Sequence, residues 1–229
     1  MPTPEQISDE DVRLAVYTKF AREGAAPTDG ELAAQLAITQ DDVRAALSRL
    51  ARARHVALDA GGAVVMAHPF SAVPLGFAVM GSRTLWWGGC AWDSFAIPAL
   101  TGQDCLVATH CPACGRPLAL DVAPGEPPDP GADAGKLVAH LPVPVLRMWD
   151  DVVRTCSRQR LFCSREHVTE WLARTGTDRG EVLDLTALWR LATGWYAGRL
   201  TPGYRRRTPA QAAAFFASIG LTSDFWRTR

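Results

Sequence analysis

Six cysteines, at positions 90, 105, 111, 114, 156 and 163, carry most of the chemical potential of this chain. A thiolate is both a nucleophile and a soft metal ligand, so the useful question is which of the six sit where a thiolate has work to do. In Gly88-Gly89-Cys90-Ala-Trp-Asp93 the two glycines let the backbone turn tightly and approach a ligand closely. They deliver Cys90 to the start of a predicted helix, where the macrodipole favours a thiolate. Asp93 lies three residues on and shares a helical face with Cys90. A thiol beside a carboxylate can exchange a proton over a short path, which is what acid–base chemistry at a metal-bound carbon requires. Read alone, the pair is more simply a small buried residue beside an exposed first-turn acid.

Two further groups compete for attention. Cys156 stands among Arg154, Arg158 and Arg160, an electropositive setting expected to stabilise a thiolate, although a lone cysteine amid arginines is more often structural. Cys111-Pro-Ala-Cys114-Gly has the form of a zinc knuckle, two thiolates on a tight turn. A closed structural zinc site needs four ligands. Cys156 and Cys163, or His110 and His140, are the candidates to complete it.

The chain that must position these groups has 229 residues, enough for one large domain or two small ones with a proper core. Hydrophobic residues make up 48% and charged residues 21%, ordinary for a globular protein. Lys+Arg and Asp+Glu balance at 24 each, which argues against a bulk polyanion binder. No run of about 18 apolar residues suggests a transmembrane helix. Met1-Pro-Thr-Pro-Glu-Gln has neither a basic nor an apolar leader pattern, so a cytoplasmic location with reduced thiols is expected.

The first segment has a helical rhythm, from Asp9-Glu-Asp to Gly24. A capped short helix follows from Pro27-Thr-Asp, then a third capped by Thr39 with Val43, Ala46, Leu47 and Leu50 on one face. Val56 to Met66 reads as two short strands joined by Gly61-Gly62. Three helices and a hairpin resemble a winged helix-turn-helix over residues 1–67, with Arg44, Arg49, Arg52 and Arg54 as candidate phosphate contacts. Asp41 and Asp42 stand where such a helix would meet the groove and would repel phosphate, which argues against DNA binding.

Residues 67–80 read as a linker with a strand-like end, and 82–87 as a strand. A short helix is expected from Cys90 up to Pro98, then strands around 103–109 and 117–122 with the Cys111–Gly115 turn between them. Residues 123–135 read as an exposed loop, and Val138–Leu141 and Val143–Leu146 as strands. Helices are predicted from Ser164 to Leu172, Leu183 to Leu200 and Thr208 to Ile219. The fold class expected is α+β: the winged-helix-like unit, then a mixed, mainly antiparallel β-sheet domain with flanking helices over 68–200, then a C-terminal helical extension over 201–229.

Three segments together resemble the organomercurial (alkylmercury) lyase family. Trp86-Trp-Gly-Gly-Cys-Ala-Trp-Asp-Ser-Phe-Ala-Ile-Pro-Ala-Leu-Thr-Gly102 is similar to the stretch bearing that family's first catalytic cysteine and its aspartate. Thr109-His-Cys-Pro-Ala-Cys-Gly-Arg-Pro matches the stretch with its structural cysteine, here Cys111. Val153-Arg-Thr-Cys-Ser-Arg-Gln-Arg-Leu-Phe-Cys-Ser matches the stretch with the second catalytic cysteine, at Cys156. Order and spacing agree, and the similarity runs from about Phe70 to Leu200. Two departures stand out: Ser157 replaces a second cysteine common in the family, and the tail from Thr201 has no familiar counterpart.

The resemblance implies cleavage of carbon–mercury bonds, with Cys90 and Cys156 binding mercury and Asp93 moving the proton. It implies no cofactor, because the metal arrives with the substrate. Its implied partners are an organomercurial small molecule, low-molecular-weight cellular thiols and a mercuric reductase, with no membrane. It leaves Cys105, Cys114 and Cys163 as buried thiols. Trp86, Trp87, Trp92 and Phe95 suit an apolar organic group and suit a core equally well. The competing reading is a thiol-based metal-binding or metal-sensing winged-helix regulator built on the knuckle.

Overall fold

The computed structural model describes residues 8–129 and 136–229. Its N-terminal helices begin where side chains can satisfy the free N–H groups of a first turn. Ser8, Thr28 and Thr39 each form a capping box, with Asp11, Glu31 and Asp42, ahead of α1 (Asp9–Glu23), α2 (Asp29–Leu36) and α3 (Gln40–Arg52). The inner face of this group, including Val16, Phe20, Leu32, Val43 and Leu47, is buried.

The chain then enters a seven-stranded sheet whose neighbouring strands are all antiparallel, in the order β1-β2-β3-β5-β4-β6-β7. The strands are β1 (Ala57–Leu58), β2 (Val64–Ala67), β3 (Phe70–Ser71), β4 (Phe77–Met80), β5 (Leu85–Gly88), β6 (Cys105–His110) and β7 (Pro117–Val122). A smaller antiparallel sheet, β10-β8-β9, is built from β8 (Val138–Leu141), β9 (Arg160–Phe162) and β10 (Glu181–Asp184). Helices α4 (Ala91–Thr101), α5 (Val152–Arg158), α6 (Arg165–Thr175), α7 (Leu185–Tyr196) and α8 (Pro209–Ser218) complete an α+β fold. Among the described residues no helix is long and apolar enough to cross a membrane.

Several expectations are corrected. The segment read as a linker contributes β3 and β4 to the sheet, and it buries His68 and Phe70. The sheet is continuous from β1 to β7, and Phe20 of α1 stacks on Phe70 of β3 with ring centroids 5.8 Å apart. The helix after Cys90 runs through Pro98 to Thr101. Proline costs a hydrogen bond inside a helix. Here Ala91 to Pro98 are all buried, and that packing holds the helix on for one more turn. Val145–Arg147 is a short 3₁₀ turn where a strand was expected, since Pro142 and Pro144 leave that segment unable to donate to a ladder. The helix expected from Leu183 to Leu200 is instead β10 followed by α7, with Asp184 capping α7. Of the expected loop at 123–135, residues 123–129 are irregular and mostly exposed, and 130–135 lie outside the described residues.

Candidate active site

Cys90 ends the turn after β5 and serves as N-cap of α4, its sulfur accepting from the Asp93 backbone N–H at 3.4 Å. The two glycines before it are required by crowding rather than by an unusual φ. A Cβ on Gly88 would lie 2.0 Å from Ser94 Oγ, and one on Gly89 would lie 2.2 Å from Asp93 Oδ2. Cys156 comes from α5, whose N-cap is Asp151. The backbone N–H of Ala91 donates to Gln159 O at 3.2 Å, so the start of α4 is tied to the end of α5. The Cys156 thiol donates to Asp93 Oδ2 at 3.6 Å. Cys90, Asp93 and Cys156 thus converge, and their relative exposures are 2%, 1% and 5%. Both thiols and the carboxylate line one cavity of about 280 Å³.

Three residues that sequence reasoning missed complete the centre. Tyr196, the last residue of α7, donates its hydroxyl to Asp93 Oδ1. His68 Nδ1 lies 3.2 Å from Asp93 Oδ2. An ionised carboxylate only accepts, so the ring proton belongs on Nδ1. Arg199, itself buried, donates to the His68 carbonyl at 2.9 Å and lies 4.7 Å from the centroid of the Tyr196 ring. The one available signal was composition: a histidine in an apolar Ala67–Phe70 stretch, and a Tyr and Arg closing a Trp-rich helix.

The electrostatics follow from burial and these contacts. Burial works against ionisation of Asp93, but the His68 ring and the hydrogen bonds from His68, Tyr196 and Cys90 outweigh it, and the carboxyl is held below its ordinary range. Burial first, and the Asp93 charge second, push Tyr196 well above the usual phenol range, so it remains a donor. Burial also pushes the Cys90 thiol up, against the helix-start N–H that favours its thiolate. Cys156 is also pushed up, by its hydrogen bond with Cys90, by burial and by the neighbouring charges. The expected arginine effect on Cys156 is absent, because Arg154 and Arg158 are exposed and Arg160 turns away to donate to Leu75 O at 2.7 Å.

Of the aromatic residues expected near the site, only Trp92 lines the cavity. Trp86 is buried elsewhere with its Nε1–H on Phe20 O at 2.8 Å, Phe95 belongs to the core and Trp87 is half-buried. Trp149 and Trp195 supply further indole rings to the cavity wall. The tail contributes too: Arg206, Arg207, Ala212 and Thr228 line the cavity, and Trp226 packs 6.1 Å from Trp92. Three buried polar atoms of cavity residues, His68 Nε2, Trp92 Nε1 and Gln159 Oε1, have no protein partner among the described residues. Such atoms are costly unless a solvent molecule or ligand meets them.

The remaining thiols separate. Cys105 is buried, with burial and then Asp104 raising it to about 11. Cys114 is exposed and Cys163 half-exposed, against the expectation of buried thiols. Both sit with Cys111 and His167 in one cluster, away from Cys156. His110 is exposed at the end of β6, and His140 is buried with Nε2 on Arg179 O at 3.0 Å, so neither joins the knuckle.

The α+β scaffold that carries this cavity has known counterparts. The fold matches the crystal structure of the mercury-bound form of MerB2, with a TM-score of 0.64 and 19% identity over 86% of this chain and 94% of that one. An alkylmercury lyase of Pseudomonas putida is 46% identical over 48 residues, a stretch that spans 21% of this chain and 22% of that protein's length. The sequence pattern of the MerB alkylmercury lyase family matches residues 70–197, more than half of the chain. The chain belongs to the alkylmercury lyase family.

Proposed function

We propose that this protein is an organomercurial lyase that cleaves carbon–mercury bonds by protonolysis, with Cys90 and Cys156 as mercury ligands and Asp93 as proton carrier. The observation that carries the reading is the meeting of these three side chains on one buried cavity in a member of the alkylmercury lyase family. Hg(II) is soft and prefers thiolate sulfur. An R–Hg–SR′ substrate enters with its organic group against Trp92, Trp149 and Trp195. Cys90, the N-cap of α4 with the Asp93 backbone N–H on its sulfur, reacts first. Its proton leaves with the displaced thiolate as R′SH.

Mercury on Cys90 then draws on the second sulfur, and Cys156 passes its proton to Asp93 Oδ2. That carboxylate is ionised beforehand by His68 and Tyr196, so it is ready to accept. Two thiolates push electron density onto the mercury-bound carbon. Asp93 delivers the proton there, the carbon–mercury bonding pair becomes the new C–H bond, and R–H leaves. The balance is R–Hg–SR′ plus two cysteine thiols giving R–H, R′SH and Hg(II) on two cysteine sulfurs. The scheme draws on no resident cofactor. Cellular thiols would strip the bound Hg(II) and hand it to a mercuric reductase in the cytoplasm.

On this reading residues 68–200 are the catalytic unit, 1–67 brace it and 201–229 wall the cavity. A scaffold role for the helical unit is supported by its arginines: Arg44 pairs with Asp29 and Asp41, Arg49 with Asp9, and Arg52 donates to Ser48. The test is release of benzene from phenylmercury with excess thiol, followed by gas chromatography. Cys156→Ser is expected to lower turnover on the order of 10³-fold or more. Undiminished turnover in that variant overturns the assignment.

A further inference from the structure

The turn between β6 and β7 places Cys111 and Cys114 beside the junction of β9 and α6, where Cys163 and His167 lie. The four ligand atoms all fall within 4.8 Å of one another. Cys114 Sγ is 3.8 Å from Cys163 Sγ, and Cys111 Sγ is 3.7 Å from His167 Nδ1. A tetrahedral ion with zinc bond lengths separates two sulfurs by about 3.8 Å and a sulfur and nitrogen by about 3.6 Å. The observed separations are those edges. A disulfide would require about 2.05 Å.

We infer that Cys111, Cys114, Cys163 and His167 form a structural zinc site that staples the β6–β7 turn to the start of α6. The spacing, two residues between the first pair and three between the second, is that of a closed zinc site. All four coordination positions are taken by protein, so no place is left for a substrate.

The surroundings are built for coordinated sulfur. The turn is closed by Gly115 N–H on Cys111 O at 2.8 Å and Cys111 N–H on Arg116 O at 2.9 Å, with Gly115 at φ 74°. Only glycine adopts that conformation without strain. Ser164, N-cap of α6, accepts from the His167 backbone N–H at 3.3 Å and fixes the first turn that presents the imidazole. Arg174 donates to the carbonyls of Pro112 and Ala113 at 3.2 and 3.3 Å, placing a positive charge beside a centre whose three thiolates leave it one negative charge overall. Binding Zn²⁺ releases the three thiol protons to solvent and uses the neutral imidazole.

The inference is independent of the lyase reading and needs no turnover to test it. Protein purified under reducing conditions without chelator should contain one zinc per chain by elemental analysis. Cys114→Ser, at an exposed position, should lose it, while Cys156→Ser should keep it. Metal-free wild type titrated anaerobically with Co(II) should develop the visible bands and thiolate-to-metal charge transfer of a tetrahedral sulfur-rich site. His167→Ala should weaken that titration by at least about tenfold. Metal-free protein that gives no such spectrum overturns the inference, as does zinc that departs with Cys156→Ser and stays with Cys114→Ser. A Cys114–Cys163 disulfide in freshly prepared reduced protein does the same.

Discussion

On the two readings proposed above, two groups of thiols in this chain would meet a metal in opposite ways, and the contrast explains why they would use different partners. The Cys111 cluster lies near the surface, gathers four soft or borderline ligands and has no carboxylate among them. The Cys90–Cys156 pair is buried, has two sulfurs and keeps an acid in contact with the second. A saturated set of ligands holds an ion in place; an unsaturated set beside a proton and a cavity can change what the ion brings with it. The difference also shows in accessibility: Cys114 is exposed and Cys163 half-exposed, whereas Cys90 and Cys156 are both buried.

The largest test of that contrast is Asp93→Asn. It leaves both sulfurs, so mercury should still bind at the Cys90–Cys156 pair, but benzene release should fall by about 10²–10⁴-fold. Retained turnover would make the two centres alike, both mere binding sites. The next is pH. Thiolate is the reactive form and both active-site thiols lie above the ordinary value of 9.0, so the rate of mercury capture should climb about tenfold per pH unit and show no plateau below pH 9.0. Stopped-flow tryptophan fluorescence would follow it; a plateau near neutral pH would place a ready-made thiolate in the buried pair and erase the distinction.

Tyr196→Phe sharpens the comparison on a smaller scale. It removes one hydrogen bond that favours the Asp93 carboxylate, so the carboxyl should titrate higher and the acid limb of the pH–rate profile should move up by about one unit, with turnover near neutrality little changed. A fall in rate without movement of that limb would mean Tyr196 only packs. The smallest effect belongs to Ser157→Cys. Ser157 Oγ donates to Arg154 O at 2.8 Å and takes no part in the centre, so turnover should change by less than about twofold.

The sequence allowed the local pieces to be read but not their supports. Cys90 and Asp93 on one helical turn followed from spacing, and the knuckle from two cysteines around Pro-Ala. The capped helices α1 to α3 and the β6–β7 hairpin were legible for the same reason: their signals are contained within a few residues. His68 was hidden inside an apparent linker, because strands β3 and β4 are so short that prolines dominate the pattern. Tyr196 reaches Asp93 across 103 positions of sequence, and no local rule encodes such a meeting. Ligands of the surface cluster were mispaired in the same way: Cys156 was offered to the knuckle because sequence distance says nothing of the helix α5 that carries it off. Arg154 and Arg158 misled by composition, since neighbours in sequence on a helix need not face the same side.

One contact sets a schedule. Buried Arg13, in the first helix, donates to the carbonyls of Arg199 and Thr201 at 2.7 and 2.9 Å, while Arg199 holds the loop of His68. A chain emerging from the ribosome exposes Cys90 and Cys156 well before Tyr196 and Arg199 exist to organise the carboxylate between them. On the proposed lyase reading, half-made copies would therefore present unordered thiols to mercury, and only a nearly finished copy would convert capture into bond cleavage.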